Sequence, residues 1–141
     1  MTQRLPDFVY DINYATSKSG ELVTHFLGPC VLSSRCYRRA SGYFSSAMLA
    51  LILPELSSFV DNGGKVKLIC SPHLSENDAQ TILSSPGCTD AKSLEIALST
   101  REFRTGAEVL SYLLKSKHLE IRFATLDHDD GLFHEKFGVF T

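Results

Sequence analysis

Residues 36–70 read CYRRASGYFSSAMLALILPELSSFVDNGGKVKLIC, and this stretch decides the fold. Cys36 to Gly42 reads as a strand that ends at a glycine, after which Ser45 and Ser46 offer hydroxyls for a helix N-cap. From Ala47 to Val60 the chain is apolar, with Leu49, Leu53, Leu56 and Val60 at helical spacing. Pro54 falls inside that helix and predicts a bend there, because it lacks an N–H and its ring meets the preceding turn. Asn62-Gly63-Gly64 stops the helix. Lys65 to Cys70 alternates and then turns wholly apolar, as a buried strand does. A strand, a helix and a strand in that order favour parallel pairing through a right-handed crossover.

Outward from this unit, Ser71-Pro72 closes the second strand. Ser75, with Asp78 three residues on, resembles a capping box and opens a short helix through Leu83. Ser84 to Gly87 is a turn. Helices are expected over Ala91–Ser99 and Ala107–Lys117, the latter with Val109, Leu110, Leu113 and Leu114 in one apolar stripe. Leu119, Ile121 and Phe123 alternate with Glu120 and Arg122 in a half-buried strand reaching Ala124; Asp127 to Gly131 is a turn; Leu132 to Phe140 is a last strand. Towards the N-terminus, Phe8-Val9-Tyr10 reads as a strand and Leu22–Leu27 as a strand or short helix. The expected fold is α/β, one domain over residues 1–141, with a mixed, largely parallel sheet and helices on its faces. The chain stops on an apolar strand without a closing turn, which is the pattern of a domain cut short at its C-terminus.

Composition narrows the class. The chain has 141 residues, 43% hydrophobic and 21% charged, enough to bury a core. No apolar run reaches the roughly 20 residues that span a bilayer, and the first residues lack the apolar segment of a secretory signal. Cys30, Cys36, Cys70 and Cys88 are irregularly spaced with no Cys-x-x-Cys pair, which favours reduced thiols over zinc or a disulfide framework and points to the cytoplasm. The net charge of −2 argues against a strongly basic nucleic-acid glove, while leaving room for a local phosphate site. Arg35, Arg38 and Arg39 are the candidate cluster; a solvated strand edge explains them equally well.

The chemistry-bearing stretch is Phe133 to Phe140. Side chains alternate along a strand, so His134, Lys136 and Gly138 share one side. Phe133, Glu135, Phe137 and Val139 share the other, which is mostly apolar and is expected to be the packed face. A neutral imidazole can attack phosphorus, a lysine can hold non-bridging phosphate oxygens, and a glycine next in line leaves room for a ligand. A bare His-x-Lys, however, more often marks the wet face of a surface strand. Ser41 and Ser45 lie where a strand feeds a helix, a natural anion site, and with Arg39 they are the expected phosphate-binding neighbours. Tyr43 and Phe44 can stack on a base or pack in the core. His73 follows a strand end and either lines the site or stands idle. Asp127 to Asp130 reads as a solvated acidic turn, since no further ligands at suitable spacing accompany it; no metal and no cofactor are expected.

Taken together, Arg39-Ala40-Ser41-Gly42-Tyr43-Phe44-Ser45-Ser46, the apolar helix, the segment from Asn62-Gly63-Gly64-Lys65 to His73-Leu74-Ser75, and His134-Glu135-Lys136 resemble the phospholipase D superfamily. The likeness is to the phospholipase D-like domains at the N-termini of superfamily 2 helicases and restriction-type proteins, and it covers roughly residues 35 to 140. It implies a phospholipase D-like half-unit acting as a metal-independent phosphodiesterase, in particular a DNA endonuclease domain of a larger protein. It also implies that His134 forms a phosphohistidine and Lys136 binds phosphate oxygens. A second histidine, from a homodimer partner or another part of the parent chain, would protonate the leaving group. The aspartate and the Gly-Ser-x-Asn-like segment of the family pattern are not found in the chain. The alternative is a catalytically inactive module for DNA binding or dimerisation. A lipase is disfavoured, since nothing in the chain reads as an interfacial helix with a basic polar face.

Overall fold

The computed structural model describes residues 7, 9, 20–85, 105–127 and 133–141. Four strands form one mixed sheet: β1 (Cys36–Ser41), β2 (Lys65–Cys70), β3 (Leu119–Phe123) and β4 (Lys136–Phe140), in the spatial order β3-β2-β1-β4. β1, β2 and β3 are mutually parallel, while β4 runs antiparallel to β1 on the other edge. The strands thus lie where alternation placed them, except that β4 starts at Lys136, leaving Phe133–Glu135 in the connection before it.

The described helices are α1 (Gly28–Leu32), α2 (Ala47–Leu51), α3 (Leu53–Asp61), α4 (Glu76–Ser84) and α5 (Gly106–Lys115). Residues 23–27, expected as strand or short helix, form a wide π-helical turn that runs directly into α1. The single bent helix expected over Ala47–Val60 is two helices. Ile52, at φ −111° and ψ 23°, breaks the chain out of helical geometry, and Pro54 takes an early position of α3, where a missing N–H costs nothing. Leu56 N donates to Ile52 O at 2.8 Å and restarts the ladder. α3 ends at Asn62-Gly63, with Gly63 at φ +77°, a conformation open to glycine at little cost. Ser75 caps α4 through Asp78 N, and Thr105 with Glu108 forms a full capping box on α5. The helix expected at Ala91–Ser99 lies outside the described residues, as do Cys88 and all of Phe8-Val9-Tyr10 except Val9, which is exposed.

Among the described residues the helices gather on one face of the sheet, not on both. Tyr37, Val66, Leu68, Cys70 and Leu119 point into a core with Val31, Leu49, Ile52, Leu56, Phe59, Val109, Leu110 and Leu113. The cause is topological. β1, β2 and β3 step across the sheet in one direction, and successive crossovers of one hand then lay their helices on the same side. The expected packing of β4 is reversed in consequence: Phe137 and Val139 are 59% and 43% exposed on the open face, while Lys136 and Gly138 belong to the helix side.

Candidate active site at the carboxyl ends of the parallel strands

β1 and β2 end side by side, with Ser41 paired to Cys70. Because β4 is antiparallel, its first residue, Lys136, pairs with Ser41 on the other flank. One row, Lys136–Ser41–Cys70, therefore marks the carboxyl end of the sheet, which is where open α/β sheets place their ligands. Directly paired residues share a face, so Lys136 and Ser41 stand on the helix side, with Arg39 and Gly138 one step behind them. Arg39 and Lys136 line one cleft of about 300 Å³ together with Leu22, Phe26 and Tyr37.

Stacking builds the floor of that cleft. Tyr37 and Phe140 are paired and lie parallel, ring centroids 4.5 Å apart, with Phe26 edge-on to Phe140 at 6.1 Å. Arg39 Nη1 donates to Tyr37 Oη at 3.0 Å, which directs the guanidinium along the cleft. Gly138 lines the cleft and lets Tyr37 lie close: a Cβ there would stand 3.1 Å from the Tyr37 ring.

His134 precedes β4 yet is held in place. Carried one same-face step outward, the β1–β4 register sets His134 opposite Tyr43, and their rings meet edge-to-face at 5.8 Å. Gly42 gives the connection its closest approach, since a Cβ on Gly42 would lie 2.9 Å from both His134 Cα and the Phe133 carbonyl. His134 is exposed, as is Lys136, so both heads reach water. His134 and Lys136 thus both lie at this end of the sheet, and the structure adds the contacts that His134 makes with Gly42 and Tyr43. Phe44, by contrast, is a core residue.

The serines are committed elsewhere. Ser41 is buried, and its hydroxyl donates to Tyr43 O at 2.7 Å. Ser45 Oγ accepts from Ala47 N at 3.3 Å. The place an anion would take at the start of α2 is held by the buried Asp78 carboxylate, whose Oδ2 accepts from Ser46 N at 3.1 Å. Asp78 is a residue that sequence reading assigned only to capping; its Ser-x-x-Asp spacing carries no sign of this second contact. Ser71, fully buried just past β2, holds His73 Nδ1 at 2.8 Å, and His73 is exposed at the same sheet end.

Burial pushes the Cys70 thiol from 9.0 up to about 11, so it is a neutral packing group at ordinary pH. Cys36 and Cys70 are free thiols. Among the described residues no three His, Cys, Asp or Glu side chains converge on one point, and Asp127 is exposed while Asp129 and Asp130 lie outside them. Arg35 and Arg38 stand away from the cleft: Arg35 N donates to Thr141 O, and Arg38 Nη1 reaches Thr141 Oγ1 at 3.2 Å. In the pattern His-x-Lys, four residues, Asp, the acidic position falls on Thr141, a threonine. No described helix is long and apolar enough to cross a membrane.

Comparison of the chain with family models, with curated proteins and with solved structures finds no match.

Proposed function

We propose that this chain is a phospholipase D-like phosphodiesterase domain that cleaves DNA without a metal ion, through a phosphohistidine on His134. The observation that supports the reading is the pair Lys136 and Arg39 lining one cleft; His134, two residues before Lys136, lies outside that lining and rests edge-on against Tyr43. DNA as the substrate comes from the resemblance to helicase- and restriction-associated domains. The neutral imidazole attacks phosphorus; the new P–N bond forms as the P–O bond to the leaving group breaks. Lys136 and Arg39 hold the non-bridging oxygens as charge builds on them. The leaving oxygen takes a proton from a second histidine, contributed by the second copy of a homodimer. Water then attacks the phosphohistidine, breaks the P–N bond and returns His134 to its starting state.

The test is nicking of plasmid DNA and hydrolysis of bis-p-nitrophenyl phosphate by the purified chain, with and without EDTA. Expected is cleavage that EDTA leaves unchanged, that His134→Ala abolishes, and that Lys136→Ala lowers by roughly 100-fold or more, the scale of losing one oxyanion donor. Loss of activity with EDTA overturns the reading. One observation favours the inactive-module alternative: threonine at position 141, where the family pattern has its acid. A folded, dimeric chain that binds DNA and cleaves neither substrate is that module.

A further inference from the structure

The open face of the sheet presents two rows of side chains. Running β4-β1-β2-β3, the first row is Val139, Arg38, Lys67 and Glu120. The second, nearer the carboxyl end, is Phe137, Ala40, Ile69 and Arg122. Val139 and the first three residues of the second row make a continuous apolar corner, with Phe137, Ile69 and Val139 exposed to 59%, 44% and 43%. Together the rows form a shallow trough of about 350 Å³. Nothing among the described residues covers it, although parallel strands are ordinarily buried on both faces.

We propose that this face seats an amphipathic helix with acidic margins, supplied by another polypeptide. Charge decides the chemistry of the occupant. Arg38, Lys67 and Arg122 face a single anion, Glu120, which already serves Lys67 at 3.8 Å and Arg122 at 2.9 Å. The face is thus positive in a chain whose net charge is −2. A second copy laid face to face would set cations against cations. A single-stranded nucleic acid stacks its bases on successive aromatic platforms, whereas Phe137 is the one aromatic in the two rows and its neighbours are aliphatic. A helix with apolar residues at i, i+3, i+4 and i+7 covers the corner and turns carboxylates to Arg38, Lys67 and Arg122. Lys136 belongs to the other side of the sheet, and the cleft shares only Arg39, Ala40 and Phe137 with the trough.

The experiment uses the full chain and a fluorescent helical peptide of about 18 residues, long enough to cover the sheet at 1.5 Å per residue. It carries leucine at the four apolar positions and glutamate on both flanks, and binding is read by anisotropy. Expected is saturable binding that weakens about tenfold or more, roughly 1.4 kcal/mol, when lysine replaces glutamate in the peptide. Arg38→Glu with Lys67→Glu reverses that preference. Phe137→Ser weakens binding of the glutamate peptide with an unchanged circular dichroism spectrum. Equal binding of both peptides, or a preference that survives the charge reversal, overturns the proposal. So does displacement of the peptide by a single-stranded oligonucleotide held by the same cations, or a homodimer that Phe137→Ser dissociates.

Discussion

Gly42 is the residue on which the site geometry turns. A methyl group there would press on the backbone at Phe133 and His134, 2.9 Å away, and on His134 Nδ1 at 3.3 Å. Gly42→Ala therefore displaces the imidazole. Because His134 and Glu135 are exposed and lie outside β4, the displaced segment can yield, and the stability loss stays within about 1 kcal/mol. Catalysis is less forgiving: a shift of roughly 1 Å can cost about 100-fold. The expected result is a near-normal urea midpoint with phosphodiester hydrolysis down by about that factor. Equal hydrolysis by wild type and Gly42→Ala would free Gly42 from this role. Cys70 gives a second residue-scale test. The unfolded chain loses the thiol proton near pH 9, the folded chain near 11, so the folded state binds more protons between them. Stability is then flat below pH 9 with respect to this group and falls as pH rises from 9 to 11; Cys70→Ser should flatten that segment of a urea-midpoint profile against pH. The alternation that sets Lys136 and Gly138 on one side of β4 is legible in the sequence, whereas His134 lies before the strand. Its contacts with Tyr43 and Gly42 were not legible, because contact across a β1–β4 pair is a matter of register, which no local pattern records.

At the scale of elements, the alternation in Lys65–Cys70 and Leu119–Phe123 predicts β2 and β3 to within a residue, since each strand has one buried face to satisfy. The break at Ile52 escaped that reading. Leu49, Leu53, Leu56 and Val60 keep a helical spacing across it, so periodicity continues where the backbone does not. The junction of α5 with α2 is a sharper case. A Cβ on Gly106 would collide with the Ser46 carbonyl and stand 2.6 Å from Ala47 N, both backbone atoms that anchor the start of α2. Gly106→Ala must push α5 off α2 and is expected to cost about 3 kcal/mol, the upper range for overpacking. Thr105→Ala, one residue earlier, removes only the capping hydroxyl from Glu108 N and should cost about 1 kcal/mol. Urea melts of the two variants separate the close approach from the cap: similar losses would mean that α5 is held by its cap alone.

For the whole molecule, parity sorted the residues of β4 into two sets but could not say which set the helices would cover. Direction of winding decides that, and it left Phe137 and Val139 outside. The same topology bears on how the proposed reaction is completed. An imidazole that has become the nucleophile at phosphorus cannot donate a proton to the leaving oxygen in the same step, so an acid must come from elsewhere. A two-fold dimer would bring a second His134 to the carboxyl end of the sheet; within one chain, His73, tied through Nδ1 to Ser71, stands at that end as well. Subunit mixing separates these sources. If each site needs two copies of His134, wild-type chains co-refolded with an equal amount of His134→Ala form fully active dimers in proportion to the square of the wild-type fraction, and activity falls to about one quarter. If the acid belongs to the same chain, activity falls only to about one half, and His73→Asn should then remove hydrolysis of esters with poor leaving groups while sparing p-nitrophenyl esters, whose leaving group needs no proton. The dimeric reading expects the quadratic result, with light scattering showing a dimer at the assay concentration; a linear decline, or full activity per chain at a dilution where scattering shows monomers, sinks it.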